Sequence, residues 1–291
     1  MANVQKNFPL NSYNRKLRLG RLNYANVAPL YHFFDEGQVP PWLEVIEGNP
    51  AALNRWMAEG LLDVSPVSSF AYAMNCHEWS LLPGLCISCN GPVMSVLLAS
   101  KVPINELDGV PIYITRESAT STELLKLILE KEGVNPQYLD WAPGDKCELP
   151  EGALGAMVIG DRALRWRNEA DIPFFLDLGE YWYSWIGLPF VFAVFAVRKD
   201  IVQLFNRFIG ELSDILKTSL KVSLSGISSV IPRMSYALSL PLETIQEYFG
   251  CLNYELGQDE LIGMEHFFRL LQRSGAIKQP VNISFCAREG S

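Results

Sequence analysis

Residues 15–22 alternate polar and apolar side chains, which predicts an opening strand. The strand runs into Asn23-Tyr24-Ala25-Asn26-Val27-Ala28-Pro29, a loop-to-helix junction. Residues 42–47 read as a second strand. Asn49-Pro50 then starts a helix, with Asn as cap and Pro in the first turn, and Gly60 ends it. An apolar strand at 61–65 leads into a helix from Ser68. Two further apolar runs stand out at 93–100 and 190–197. Between them, residues 101–188 read as a self-contained block. It holds a strand at 110–114, a helix at 120–132 with Thr120 and Glu123 as its capping box, and a strand at about 137–141. A Pro/Gly-rich loop at 143–152 and a strand at 153–159 follow, and Gly160-Asp161 opens another helix. Beyond 198 the pattern is helical, at about 200–223, 227–237, 241–250 and 257–274.

Strands alternating with helices predict an α/β fold with mainly parallel sheets. The order suggests a discontinuous first lobe (1–98 and 192–291) and an inserted second lobe (99–191), joined by two crossing strands that act as a hinge. That is the plan of the two-lobed type II periplasmic-binding-protein fold. Its ligands lie in the cleft beyond the carboxyl ends of the strands.

The chain has 291 residues, 49% hydrophobic and 19% charged, with a net charge of −8. No basic patch or tail is visible, which argues against a nucleic-acid partner. Any anion site must rest on local N–H groups, hydroxyls and a few Arg residues, because the overall field repels anions. The longest apolar run, 188–197, is about half a membrane span, and residues 1–19 lack the apolar core of a secretory signal. The expectation is a cytoplasmic protein with no membrane partner; monomer and homodimer stay equally open. Six cysteines then read as reduced thiols. Cys86 and Cys89 have CxxC spacing, but no second pair or nearby histidines complete a zinc site, and the pair sits at a strand end, so buried thiols are the plainer reading.

Candidate chemistry gathers where strands hand over to helices. Ser65, Ser68 and Ser69 form one hydroxyl cluster; Ser118, Thr120 and Ser121 form a second. Helix starts carry unpaired N–H groups and the positive end of the dipole, so two facing starts suit a dicarboxylate. Thr120 reads as the cap, leaving Ser118 and Ser121 freer. Asn26 falls at the cleft mouth, as an amide donor to a ligand or as a helix cap. Ser95 falls on the first crossing strand beside the cleft. Asp161 reads first as an N-cap. Arg116 could pair with a carboxylate or lie on the surface. Tyr181-Trp182-Tyr183-Ser184-Trp185 reads as lobe-interface core more than as a ring-binding wall. His32, His77 and His266 assemble no metal or catalytic set, and no phosphate-binding glycine loop is present.

The runs Asn23-Tyr24-Ala25-Asn26-Val27-Ala28-Pro29, Asp63 to Ser69, Gly91 to Val96, Ser118 to Ser121 and Gly187 to Ala193, in this order, resemble the chorismate dehydratase family of the futalosine route to menaquinone. The resemblance spans about 17–275. It implies a cytoplasmic enzyme that turns chorismate into 3-(1-carboxyvinyloxy)benzoate and water, with no cofactor and no metal. It also implies that Asn26 and Ser95 are the catalytic Asn and Ser, and that Ser118 to Ser121 form the second lobe's hydroxyl-rich helix start. Ala25 and Cys89 depart from the family's usual bulky residue and Ser. A sister family, making 1,4-dihydroxy-6-naphthoate, carries a Cys-Pro-Asn-Asp run that is absent here. No protein base is evident, so the expectation is that the substrate's own enolpyruvyl carboxylate takes the proton. The rival readings are a solute receptor, which would need export, and a ligand-sensing regulator, which would need a DNA-binding module.

Overall fold

The computed structural model describes residues 15–142, 144, 146–225 and 230–286. Pro143 and Asp145 of the expected 143–152 loop, and residues 227–229 of the expected 227–237 helix, lie outside the described residues. The chain runs β1 (Leu17–Leu22), α1 (Ala28–Asp35), β2 (Leu43–Gly48), α2 (Pro50–Ala58), β3 (Val64–Ser68), α3 (Ser69–Asn75) and β4 (Trp79–Cys89). It continues through β5 (Val96–Ser100), β6 (Pro111–Thr115), α4 (Ala119–Lys131), β7 (Gln137–Trp141), β8 (Gly155–Ile159), α5 (Gly160–Glu169), β9 (Phe174–Asp177) and α6 (Leu178–Ile186). It closes with β10 (Phe190–Arg198), α7 (Val202–Ser225), α8 (Val230–Leu238), α9 (Leu242–Cys251), β11 (Leu252–Asn253) and α10 (Gln258–Arg273).

Two sheets form two lobes. The first has strand order β11-β4-β10-β3-β1-β2 and the second β7-β6-β8-β5-β9. β1 pairs in parallel with β2 and β3, with Leu19 opposite Val64, while β10 runs antiparallel to β3 and β4. In the second sheet β6 is parallel to β7 and β8, and β5 is antiparallel to β8 and β9. Both sheets are covered by helices, so their central strands are shielded on both faces: every residue of β3, β5 and β8 is buried.

The two crossings differ from the expected hinge strands. β5 belongs wholly to the second sheet and β10 wholly to the first. The chain crosses instead through residues 90–95 and 187–189. The local chemistry explains this. Pro92 and Pro189 offer no N–H to a ladder. Gly187 adopts φ 73° as the left-handed C-cap that ends α6, its N–H donating to the Tyr183 carbonyl. The aromatic run 181–185 folds as part of α6. Trp182 is fully buried and packs edge-on against Phe190 and Phe267, so it builds core rather than a ligand wall.

Asp63 ties β1 to β3. It is fully buried and accepts from Arg15, at 2.6 Å, and from the Arg18 backbone and guanidinium. Burial raises its carboxyl, but the bonds from Arg18 and Arg15 outweigh this and hold it below the ordinary range. Among the described residues, no helix is long and apolar enough to cross a membrane.

Candidate active site

A cavity lies between the lobes, beyond the carboxyl ends of β1, β3 and β8. Such a place is where open α/β sheets bind a small organic ligand. Asn26, Ser68 and Ser95 reach it from the first lobe and the crossing, and Ser118, Ser121 and Gly160 from the second.

Asn26 sits in a single 3-10 turn, Ala25–Val27, between β1 and α1. It does not cap α1, whose N-cap is Val27 with no side-chain bond. The Tyr254 hydroxyl donates to the Asn26 carbonyl at 2.8 Å and pins the turn. The side-chain Oδ1 is buried with no hydrogen-bond partner. An orphaned buried acceptor costs about 1–3 kcal/mol, so a guest that brings a donor is strongly favoured there.

Ser95 is placed by unusual backbone. Met94 has φ 60°, and the Ser95 N–H folds back onto the Val93 carbonyl at 2.7 Å. A non-glycine residue in this region carries strain of about 1–3 kcal/mol and needs support. Asp177, the N-cap of α6, supplies it. Its carboxylate accepts from Val93 N at 3.1 Å, Met94 N at 2.7 Å, Gly179 N at 2.9 Å and Glu180 N at 3.1 Å. The Ser95 carbonyl accepts from Gly160 N at 2.7 Å, and its Oγ lies 3.2 Å from the Tyr248 hydroxyl.

The two hydroxyl clusters meet across the cleft, with a different division of labour from that expected. Ser118, not Thr120, caps α4. It has the extended backbone a cap needs (φ −134°), its Oγ accepts from Ser121 N at 3.2 Å, and it also donates to Ser121 Oγ at 2.7 Å. Glu123 therefore completes no capping box and pairs with Lys126 at 2.7 Å. Thr120 Oγ1 accepts the Phe70 N–H of α3 at 2.8 Å, a bond between lobes. Ser68 caps α3 and is held by Asn54. Ser65 and Ser69 do not line the cavity; they donate to the Pro66 and Val191 carbonyls. Arg116 is a surface residue paired with Asp140.

Asp161 is not the cap of α5, a position held by Ile159. Its carboxylate turns back across the cleft to the Ala25 N–H, at 3.0 and 3.3 Å. Burial pushes its carboxyl up to about 6, against the opposing pull of the Ala25 N–H and Arg165. Beside it, the Tyr24 hydroxyl donates to Glu117 Oε2 at 3.0 Å. Burial raises the Tyr24 phenol far above its usual range, so it stays neutral.

No Asp, Glu, His, Lys or Arg lines the cavity among the described residues. Cys86 and Cys89 are buried in the first lobe; burial pushes the Cys86 thiol up to about 12 and raises Cys89 as well. Such thiols are poor nucleophiles. Tyr24 and Gly160 lie within runs that the sequence singled out. Tyr248, Tyr254 and Asp177 gave no local signal, because each acts over a long sequence separation.

Residues 17–273 match the model of a family described as menaquinone biosynthesis. The chain is 32% identical over 269 residues to a chorismate dehydratase of Thermus thermophilus, covering 87% of this chain and 94% of that protein. It is 24% identical over 255 residues to a 1,4-dihydroxy-6-naphtoate synthase of the same organism, covering 84% and 89%. In fold it is similar to the alkanesulfonate-binding protein SsuA of Xanthomonas axonopodis pv. citri bound to MOPS, with a TM-score of 0.69 and 12% identity over 91% of this chain and 95% of that one.

Proposed function

The chain belongs to the menaquinone biosynthesis family, and on that premise we propose that it is a chorismate dehydratase, a carbon–oxygen hydro-lyase that releases 3-(1-carboxyvinyloxy)benzoate and water. The observation that carries this reading is the cavity wall. It combines neutral hydroxyl and amide groups with apolar side chains and holds no ionisable base among the described residues.

Chorismate fits such a wall. It has two carboxylates, one hydroxyl and a ring diene. The C3 hydrogen is acidified through the diene and the ring carboxylate. Its removal gives an extended enolate, and return of the electron pair expels the C4 hydroxyl and leaves a benzene ring. Aromatisation drives the elimination. The base is the substrate's enolpyruvyl carboxylate, which takes the C3 proton; the departing oxygen then recovers that proton and leaves as water.

The protein's share is positioning and charge stabilisation. Ser121, oriented by the Ser118 hydroxyl at the positive end of the thirteen-residue helix α4, would donate to one carboxylate, and Ser68 and Ser95 would donate to the second. Asn26 Oδ1, the orphaned acceptor, would accept a hydrogen bond from the C4 hydroxyl and orient the leaving group.

The synthase reading ranks second, on the lower identity and the missing Cys-Pro-Asn-Asp run. The purified protein, offered chorismate and a cyclic futalosine in separate reactions, decides between them. Growth of benzoate absorbance with chorismate supports the dehydratase; turnover of the futalosine alone refutes it.

A further inference from the structure

Two side chains outside the cavity converge on Ser95 from opposite sides. Tyr248, on α9, is fully buried, and among the described residues its hydroxyl has one partner, Ser95 Oγ. Asp177, 6% exposed, gathers the N–H groups of Val93 and Met94, the two residues before Ser95.

The Tyr248–Ser95 bond has a polarity that can be deduced. Two hydroxyls share one bond, so one of them gives its hydrogen. Were Ser95 the donor, the phenolic hydrogen of this fully buried side chain would have no partner among the described residues, a loss of about 1–3 kcal/mol. Burial also raises the Tyr248 phenol, so it stays protonated. Tyr248 therefore donates, which leaves the hydroxyl hydrogen of Ser95, a residue of the cavity wall, for another acceptor. Asp177 fixes the other half of the geometry. Without its hold on Met94 N at 2.7 Å, the left-handed turn at Met94 relaxes and Ser95 Oγ leaves the wall.

We infer that Tyr248 and Asp177 are positioning residues that make Ser95 a fixed hydrogen-bond donor to a carboxylate oxygen of the guest, an inference that rests on the dehydratase reading of the same cavity. Tyr248 sets which way the hydroxyl hydrogen points, and Asp177 sets where the oxygen sits.

The test is a pair of double-mutant cycles with two readouts: chorismate turnover, and binding of 3-(1-carboxyvinyloxy)benzoate by calorimetry. Tyr248→Phe and Asp177→Asn are made in the wild type and in Ser95→Ala, and melting curves identify folded variants. Each should lower kcat/KM and weaken product binding about three- to tenfold in the wild type, the size of one lost hydrogen bond. Each should change Ser95→Ala by less than about twofold, since the group it positions is gone. Equal losses in both backgrounds, or no loss in the wild type, overturn the inference. If Tyr248→Phe does not fold, the Asp177→Asn cycle decides. A wild type that binds product but leaves chorismate unchanged refutes the dehydratase reading, and the binding cycle then judges the inference alone. Absence of both turnover and product binding in the wild type refutes both.

Discussion

The Asp161 carboxylate of the second lobe accepts the backbone N–H of Ala25 of the first, at 3.0 Å, beside the residue that presents Asn26 to the cavity. Its carboxyl is pushed up to about 6 from 3.8 by burial. Between those values the folded protein binds a proton that the unfolded chain has released. Stability on this account falls as pH rises from about 4 to about 6, then levels. Asp161→Asn keeps an acceptor for Ala25 and removes the buried charge. The melting temperature of the variant minus that of wild type should climb across that window and flatten above it. A difference independent of pH would contradict the burial of this charge.

Asn26→Ala removes the orphaned acceptor, and Ser95→Ala removes the donor opposite. Each should lower kcat for chorismate by at least about tenfold, Ser95→Ala by losing a donor aimed at charge and Asn26→Ala by losing the orientation of the leaving group. Wild-type rates in both variants would remove these residues from the chemistry.

Gly160 has φ 62°, and a Cβ there would meet the Tyr24 ring at 3.0 Å. Gly160→Ala should cost about 1–2 kcal/mol from the backbone alone. It should also displace Tyr24 from the cavity wall, so kcat/KM drops further than the lost stability explains. Measuring both together checks this; a stability loss with unchanged kinetics would count against it.

Thr120→Val removes the acceptor for Phe70 N while keeping shape. The bond joins the lobes, so its loss should weaken closure and raise KM for chorismate about fivefold, with kcat nearly unchanged. A fall in kcat at constant KM would place Thr120 in the chemistry instead.

The parts of the site that were legible in sequence sit where local periodicity changes. Asn26 follows a strand that alternates at period two, and Ser118 and Ser121 stand where an apolar strand gives way to a helical run. Ser95 lies just past Gly91-Pro92, which no ladder can absorb. Capping was misread by less than one turn. Composition marked a hydroxyl-rich helix start, but only the extended backbone at Ser118 decides which hydroxyl accepts the first free N–H. Ser65 and Ser69 belong to the same cluster as Ser68, yet each spends its hydroxyl on a nearby carbonyl, a choice set by strand packing. The supporting layer was invisible. Tyr248 reaches Ser95 across 153 residues, Tyr254 reaches Asn26 across 228, and Asp177 reaches Val93 across 84. The Tyr248 and Tyr254 bonds arise only when the chain after the second crossing returns to the first lobe, and the Asp177 bond only when β9 joins β5 in the second sheet. The hinge was placed a few residues off for a related reason: apolar runs reveal strands but not the sheet each strand joins.

Proton NMR of chorismate incubated with the purified protein tests the central claim most directly. Dehydration in the uncharged cavity requires the ring diene signals to give way, mole for mole, to those of a meta-substituted benzoate one water lighter, at a rate that collapses in Asn26→Ala. Chorismate that stays intact, or is consumed equally fast by Asn26→Ala, would contradict it.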